Sequence, residues 1–115
     1  MSSRPPCFHI FVYGTLRRRF RNPYALLLHR SSDFIHAARV RGSLQRFKRY
    51  TGICLDSSTS RWIPGEIFRF RDQRLLAALD RYEGPDYERV LVEAMRANGS
   101  RCVCWTYRLF PKRMA

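Results

Sequence analysis

The 115-residue sequence contains no uninterrupted apolar run of about 18 residues, the length that a membrane-spanning helix needs. Its first ten residues, MSSRPPCFHI, carry two prolines and no apolar stretch of the kind found in a signal peptide. We therefore expect a soluble, cytoplasmic protein. The length predicts a single domain over residues 1–115, because one hydrophobic core commonly serves about 100 to 200 residues.

Glycine-rich phosphate-binding motifs are absent as well. Gly14 stands alone in its segment, and neither the GxGxxG pattern of dinucleotide sites nor the GxxxxGK[ST] pattern of P-loops occurs. Metal-binding patterns are also missing, since the three histidines form no i,i+4 pair and Cys102 and Cys104 are too close together for a zinc knuckle. We expect neither a cofactor nor a metal.

Cysteine is present at four positions: Cys7, Cys54, Cys102 and Cys104. Without an export signal the expected state is the reduced thiol, and free cysteines are commonly buried. On a strand, Cys102 and Cys104 would share one face. They are predicted to pack in the core.

Acidic residues are scarce, with 9 against 22 Lys and Arg, which gives a net charge of +13. Such a charge attracts polyanions. The arginines are nevertheless spread from Arg4 to Arg113, and the one true cluster is LRRRFR at residues 16–21. Most aromatic residues fall within apolar runs, not on an open sheet face. A nucleic-acid partner is thus less favoured than a diffuse basic surface, but it stays an alternative.

Hydrophobic periodicity in the first half predicts two strands around a helix. Residues 7–13, CFHIFVY, are typical of a buried strand. Residues 22–30, NPYALLLHR, begin with an Asn cap and a Pro at the first helical position. Residues 33–44 indicate a strand with a kink, because Ile35 is out of phase, and Gly42 is expected to turn the chain.

The second half predicts four more strands. Residues 49–56 and 61–70 are short strands, and Pro64 indicates an edge or a bulge in the second of them. The last two strands flank Asn98-Gly99, which is a strong signal for a hairpin turn.

A second helix is predicted over residues 72–82, DQRLLAALDRY, with Asp72 as a cap and Gly84-Pro85 as a stop. Its apolar residues form one stripe: Leu75, Leu76, Leu79 and Tyr82. The strand-to-helix alternation of a doubly wound sheet is missing. The fold class is therefore α+β, with a mostly antiparallel, barrel-like sheet.

The first candidate site is FVYGTLR, residues 11–17. A strand that breaks at Tyr13-Gly14 and continues into Thr15-Leu16 can present consecutive backbone N–H groups to an anion, and Gly14 would allow dihedral angles that a side chain forbids. The alternative is a simple turn after a strand.

The second candidate is Glu83, within LDRYEGPDYERV. A carboxylate at a helix C-terminus is disfavoured by the helix dipole by roughly 0.3–1 kcal/mol, so another cause should keep it there. It is either a general acid/base or a solvated acid near Arg81 or Arg89. Tyr87 and Arg89 either orient this acid or its substrate, or only pack and pair.

Four pieces in order resemble one family: YGTLR after the first strand, GEIF at 65–68, LDRYEGPDYERV at 79–90 and CWTYRL at 104–109. They resemble the γ-glutamylcyclotransferase-like family, which includes γ-glutamylamine cyclotransferases and AIG2-like proteins. The resemblance covers nearly the whole chain. It implies a small mixed, mostly antiparallel β-barrel with two short flanking helices and a cavity at one mouth.

The same resemblance implies a site and an activity. Tyr13, Gly14, Thr15 and Leu16 match the substrate-binding loop, and Glu83 matches the catalytic acid/base. The implied reaction converts a small γ-glutamyl amide or peptide to 5-oxoproline and releases an amine or amino acid, without metal or cofactor. An inactive member that only binds a small acidic metabolite is the alternative.

Two positions depart from the family pattern. Arg19 stands where the family usually has a glycine soon after the loop, and Phe68 replaces a tyrosine of its GELY motif. Both bear on substrate choice, and neither removes the acid.

Overall fold

Six strands and two helices make up the part of the chain that a computed structural model describes, residues 8–47, 50–56 and 58–109. The helices are α1 (Pro23–Ser31) and α2 (Arg74–Glu83). In this part of the chain neither helix has the length and apolar character needed to cross a bilayer. The strands are β1 (Phe8–Val12), β2 (Asp33–Phe47), β3 (Tyr50–Leu55), β4 (Trp62–Phe70), β5 (Tyr87–Arg96) and β6 (Arg101–Leu109).

The strands form a closed sheet in the order β1-β4-β2-β3-β6, because β6 also pairs with β1, where Ile10 lies opposite Trp105. β5 is the additional strand, antiparallel to β6 along its length and touching β2 at Ala38. The β1–β6 and β3–β6 pairings are parallel and the others are antiparallel. The predicted α+β class and mixed, mostly antiparallel barrel with two flanking helices are confirmed.

Both helices start near the predicted residues. The N–H of Ala25 donates to Asn22 Oδ1 at 2.9 Å, which confirms Asn22 as the cap of α1. In α2 the predicted cap Asp72 lies one residue before the observed cap position, Gln73. The carboxylate of Asp72 still accepts the N–H of Arg74 at 2.9 Å, so it satisfies a donor of the first turn.

The kink predicted in β2 is confirmed, since the register with β4 shifts between Phe34 and His36. The turn predicted at Gly42 is wrong, because β2 continues through it to Phe47. A Cβ atom at Gly42 would lie 2.5 Å from the carbonyl oxygen of Cys54 in β3. The glycine therefore allows close approach of two backbones within the sheet.

Pro64 lies where β4 is locally an edge strand. It pairs with Arg39 of β2, whereas the pairing of β4 with β1 ends where Val12 lies opposite Glu66. The adjacent Gly65 is required by packing, because its Cβ would be 2.5 Å from both the ring of Phe11 and the carbonyl oxygen of Val12. The glycine of the GEIF segment thus lets β4 pack closely against Phe11 and Val12 at the end of β1.

Buried side chains form two clusters on opposite faces of the sheet. One cluster joins the sheet to both helices and includes Ile10 and Phe68. The other contains no helical residue and includes Phe11 and Ile67, so it fills the barrel. β1 and β4 contribute residues to both clusters, so both faces of each strand are buried. This explains why the sequence of each strand is a nearly continuous apolar run.

Cys54, Cys102 and Cys104 form no disulfide within the described part of the chain, and Cys7 lies outside it. Cys104 is buried in the barrel, and its Sγ atom is 3.7 Å from that of Cys102. The two side chains therefore share a face of β6, as predicted.

Candidate active site

A cavity of about 380 Å³ opens where β1 ends. Its volume lies in the range of small-molecule sites, roughly 300–1,000 Å³. The wall combines the end of β1, the segment that follows it, the last turn of α2 and parts of β5 and β6. The lining residues are Phe11, Val12, Tyr13, Gly14, Thr15, Leu16, Tyr82, Glu83, Tyr87 and Tyr107.

The structure thus brings together six of the seven residues predicted for the site. The segment Tyr13–Leu16, Glu83 and Tyr87 all line the cavity, although about 70 residues of sequence separate the first group from Glu83. Arg89 is the exception. Among the described residues there is no group of three or more His, Cys, Asp or Glu side chains arranged to hold a metal ion.

Glu83 is the last residue of α2 and is half-buried. Burial raises its pKa from an ordinary 4.5 to about 7, and the negative end of the helix dipole acts in the same direction. A carboxyl group with this pKa is present in both protonation states near neutral pH. It can therefore accept a proton in one step and return it in another.

Gly84 determines how the chain leaves α2 after Glu83. Its φ of 80° and ψ of −172° lie in a region that is essentially restricted to glycine. Its N–H donates to the carbonyl oxygen of Asp80 at 3.1 Å, which closes the last helical turn. The Glu-Gly sequence therefore ends the helix abruptly at Glu83, which lines the cavity.

Tyr13 lines the cavity, but its hydroxyl group is used within the barrel. The hydroxyl donates to the carbonyl oxygen of Tyr107 at 2.5 Å and accepts the N–H of Ile53 at 3.1 Å. It therefore bridges β6 and β3. Burial, above all, raises the pKa of Tyr13 beyond its ordinary value, so this phenol remains protonated.

The expectation that Gly14 adopts a conformation forbidden to other residues is wrong. The described glycines with positive φ are Gly42, Gly84 and Gly99. A Cβ at Gly14 would meet no atom within 4 Å. Gly14 instead lines the cavity, where the absence of a side chain leaves more of the cavity open.

Thr15 connects the loop to α2. Its Oγ1 lies 2.6 Å from the hydroxyl oxygen of Tyr82, and the Tyr82 ring packs on that of Tyr24 with centroids 4.8 Å apart. Since Tyr82 immediately precedes Glu83, these contacts fix the distance between the loop and the acid. Sequence periodicity had assigned Tyr82 only to the apolar stripe of the helix.

Arg89 lies outside the cavity lining. Its Nε donates to Asp80 Oδ1 at 2.9 Å, and its guanidinium group lies 4.5 Å from the centroid of the Trp105 ring. Asp80 Oδ1 also accepts the hydroxyl of Tyr107 at 2.6 Å. Arg89 therefore pairs with Asp80, as one of its two interpretations expects, and it connects to the cavity through Asp80 and Tyr107. A role in orienting the acid or the substrate stays a prediction.

Tyr107 is a cavity residue that the sequence reasoning missed. Burial, above all, raises its pKa beyond the ordinary value, and the contact with Asp80 acts in the same direction. The tyrosine belongs to the CWTYRL segment, which contributed to the resemblance without an assigned role. Only closure of the barrel shows that Tyr107 is buried and lines the same cavity as Glu83.

Neither departure from the family pattern lies in the cavity wall. Phe68 is buried in the core and stacks on His29, with ring centroids 5.4 Å apart. Arg19 is exposed, with its guanidinium group 5.3 Å from the centroid of the Phe20 ring. Phe68 and Arg19 therefore lie near the site but are not among the residues that line its cavity.

The arginine cluster at residues 16–21 is partly used for internal contacts. Arg17 Nε donates to the carbonyl oxygen of Gly14 at 3.0 Å. The backbone N–H of Arg18 donates to Glu66 Oε1 at 2.7 Å, and its Nε lies 3.2 Å from Glu66 Oε2. The GEIF segment thereby fixes the far end of the cavity loop, and nucleic-acid binding by this cluster stays the less favoured alternative.

Comparison with known proteins agrees with this fold. Residues 10–114 match the family described as "Gamma-glutamyl cyclotransferase, AIG2-like". Protein AIG2 C of Arabidopsis thaliana is 31% identical over 102 residues, which cover 89% of this chain and 61% of that protein. The chain thus spans about three fifths of the length of this curated relative.

Solved structures share the fold. YkqA of Bacillus subtilis superimposes with a TM-score of 0.73 at 27% identity, covering 90% of this chain and 36% of that one. An AIG2-like protein of Mus musculus gives a TM-score of 0.71 at 23% identity, covering 94% and 82%. The resemblance of the four sequence segments is confirmed. The chain belongs to the γ-glutamyl cyclotransferase, AIG2-like family.

Proposed function

We propose that this protein is an enzyme that converts a γ-glutamyl amide or peptide to 5-oxoproline and releases an amine or amino acid. The observation that carries the proposal is the meeting of Glu83, with a pKa of about 7, and the segment Tyr13–Leu16 in one cavity of about 380 Å³. Membership in the family supports it.

The reaction needs no protein nucleophile. The α-amino nitrogen of the substrate attacks its own γ-carbonyl carbon, a new C–N bond closes a five-membered ring, and the original amide C–N bond breaks. Holding the chain of the substrate in a bent conformation supplies proximity, which is worth up to roughly 7–11 kcal/mol in well-oriented intramolecular reactions. The protein then has to orient the substrate and move protons.

Glu83 is assigned to proton transfer. The α-amine is an ammonium ion near neutral pH and cannot attack until it loses a proton, which ionised Glu83 accepts. The protonated acid then donates this proton to the departing nitrogen. The regenerated carboxylate accepts the second proton, which the attacking nitrogen loses as the lactam forms, and this proton passes to the released amine. A carboxylate whose pKa is the ordinary 4.5 would be too weak a base for the first step. Burial makes Glu83 a stronger base because it raises this pKa to about 7.

The loop is assigned to anion binding. Backbone N–H groups of Gly14 to Leu16 hold the substrate α-carboxylate or the oxyanion that develops on the γ-carbonyl. Loss of one such donor typically costs about 3–4 kcal/mol of transition-state stabilisation. The rings of Tyr87 and Tyr107 form the opposing wall and limit the access of water.

The test is detection of 5-oxoproline by mass spectrometry after incubation with γ-glutamyl amino acids, γ-glutamyl amines and glutathione. Turnover of at least one compound is expected, and the preferred one identifies the leaving group. Binding without turnover of any compound would instead indicate the inactive, metabolite-binding member. Retention on nucleic acid with a steep salt dependence, and no binding of γ-glutamyl compounds, would favour the polyanion alternative.

Gly14→Ala is expected to fold normally and to bind substrate poorly. The added methyl group meets no atom within 4 Å and no strained φ, so the midpoint of thermal unfolding should stay close to that of the wild type. In a pocket shaped for a ligand, one extra carbon typically costs about 10- to 200-fold in kcat/KM.

Gly65→Ala is the contrasting variant for this experiment. Its Cβ would lie 2.5 Å from the carbonyl oxygen of Val12, so it should lose stability by about 1–3 kcal/mol. Unchanged kcat/KM in Gly14→Ala would show that Gly14 does not border the bound substrate.

A further inference from the structure

The carbonyl oxygens of the cavity loop are held by side chains that lie outside the cavity lining. Gly14 O accepts Arg17 Nε at 3.0 Å, and it also accepts the backbone N–H of Arg17 at 3.2 Å. Thr15 O accepts Asn22 Nδ2 at 2.8 Å. Leu16 O lies 2.9 Å from His29 Nε2, so this imidazole nitrogen is the donor.

These contacts determine where the peptide N–H groups point. In a trans peptide the carbonyl oxygen of one residue and the N–H of the next point in opposite directions, and the described chain has no cis peptide bond. The N–H of Thr15 therefore points away from Arg17, and the N–H of Leu16 points away from Asn22. Neither Arg17 nor Asn22 lines the cavity, whereas Thr15 and Leu16 do.

We infer that Asn22 is a positioning residue that aims the N–H of Leu16 at the substrate anion; this rests on the proposed function. Its carboxamide performs two tasks at once. Oδ1 accepts the N–H of Ala25 at 2.9 Å and caps α1, while Nδ2 donates to Thr15 O at 2.8 Å. The start of α1 is thereby joined to the loop that binds the anion.

The two tasks can be separated by substitution, because Asn, Asp and Ser are comparable helix caps while Asp and Ser lack the amide donor. Asn22→Asp retains an oxygen for Ala25 but sets a carboxylate oxygen against Thr15 O, which repels it and rotates the peptide. We expect nearly unchanged thermal stability and a decrease in kcat/KM of about 100-fold, as for a displacement of a binding group by about 1 Å.

Asn98→Asp is the matched control. Asn98 Oδ1 accepts the N–H of Ser100 at 2.9 Å in the turn between β5 and β6, so an aspartate keeps this contact and makes the same change of charge outside the cavity lining. Asn98→Asp should retain wild-type kcat/KM.

Asn22→Ser separates loss of the amide donor from gain of charge, because serine is neutral. Its kcat/KM should fall by about 10-fold, with thermal stability preserved.

A second readout does not depend on turnover. Titration of ¹⁵N-labelled protein with 5-oxoproline should shift the amide resonance of Leu16 in the wild type, and this shift should be absent in Asn22→Asp at the same concentrations. Together the two readouts support the inference.

Equal kcat/KM in wild type and Asn22→Asp would overturn the role of Asn22 while the proposed function stands. If the wild type itself turns over no γ-glutamyl compound, the proposed function fails and the titration decides the role of Asn22. A Leu16 shift that is lost in the variant then supports this role. An equal Leu16 shift in both proteins, or no shift in the wild type, overturns it.

Discussion

Replacement of Glu83 by Gln is expected to lower kcat for 5-oxoproline formation by about 100- to 10,000-fold, the usual contribution of a positioned general acid or base. Gln has nearly the same shape, so packing against the cavity is retained. It cannot accept the ammonium proton, and the attacking amine stays protonated. KM should change much less than kcat, because the proposed mechanism assigns binding of the substrate anion to the loop and not to the acid.

Glu93→Gln is the matched control for this measurement. Glu93 lies on β5 and pairs with Arg101 Nη1 at 2.9 Å, with both side chains more than half exposed. It undergoes the same loss of charge and should retain wild-type kcat. Equal kcat in wild type and Glu83→Gln, measured by mass spectrometry of 5-oxoproline, would remove Glu83 from the mechanism.

The position of the acid and the loop could be predicted because both belong to short local patterns. A strand that ends in Tyr-Gly and a helix that ends in Glu-Gly each specify a chain reversal, and the resemblance supplied the expectation that they meet. What the pattern could not supply is which further rings line the same cavity. Tyr107 lines it where β6 closes the barrel against β1, and Asp80 accepts its hydroxyl.

The incorrect expectations have a common physical origin. At Gly42, turn propensity was overridden by the close approach of a second backbone, with the carbonyl oxygen of Cys54 at 2.5 Å from a hypothetical Cβ. At Gly14, φ is not positive and a Cβ would meet no atom within 4 Å, so this glycine borders open space in the cavity. The tertiary fold decides both cases, and a local pattern of residue types contains no information about it.

Arg89 illustrates how the structure places a charge for which the sequence allows two interpretations. Substrate orientation and internal pairing are both compatible with the sequence. The ion pair with Asp80 and the Trp105 ring now account for the guanidinium group. Its effect on catalysis would have to pass through Tyr107.

The free energy of unfolding of the wild type is expected to fall as the pH rises from about 4.5 to about 7. Burial raises the pKa of Glu83 in the folded state, so the folded protein binds this proton more tightly than the unfolded chain does. The contribution is fully present below pH 4.5 and is lost as the pH passes through 7. With one pKa unit equal to about 1.4 kcal/mol, it amounts to at most about 3 kcal/mol.

Urea unfolding of the wild type, Glu83→Gln and Glu93→Gln at pH 5 and pH 8 measures this contribution. His9, whose pKa is lowered chiefly by burial, also titrates in this range, but it is present in all three proteins and cancels in the comparison. In Glu83→Gln the free energy of unfolding should no longer include the decrease between pH 5 and pH 8 that Glu83 causes, so this variant should be more stable than the wild type at pH 8. Glu93→Gln should show the same decrease as the wild type. Identical pH dependence in all three would mean that Glu83 ionises as it does in water.

The same titration should govern activity in the opposite direction. Proton abstraction requires ionised Glu83, so kcat/KM of the wild type is expected to rise with pH up to about 7, over the interval in which stability falls. The proposed mechanism thus couples stability and activity with opposite sign through one carboxyl group. In this mechanism the half-buried position that destabilises the Glu83 anion also makes that anion a strong enough base for an ammonium ion.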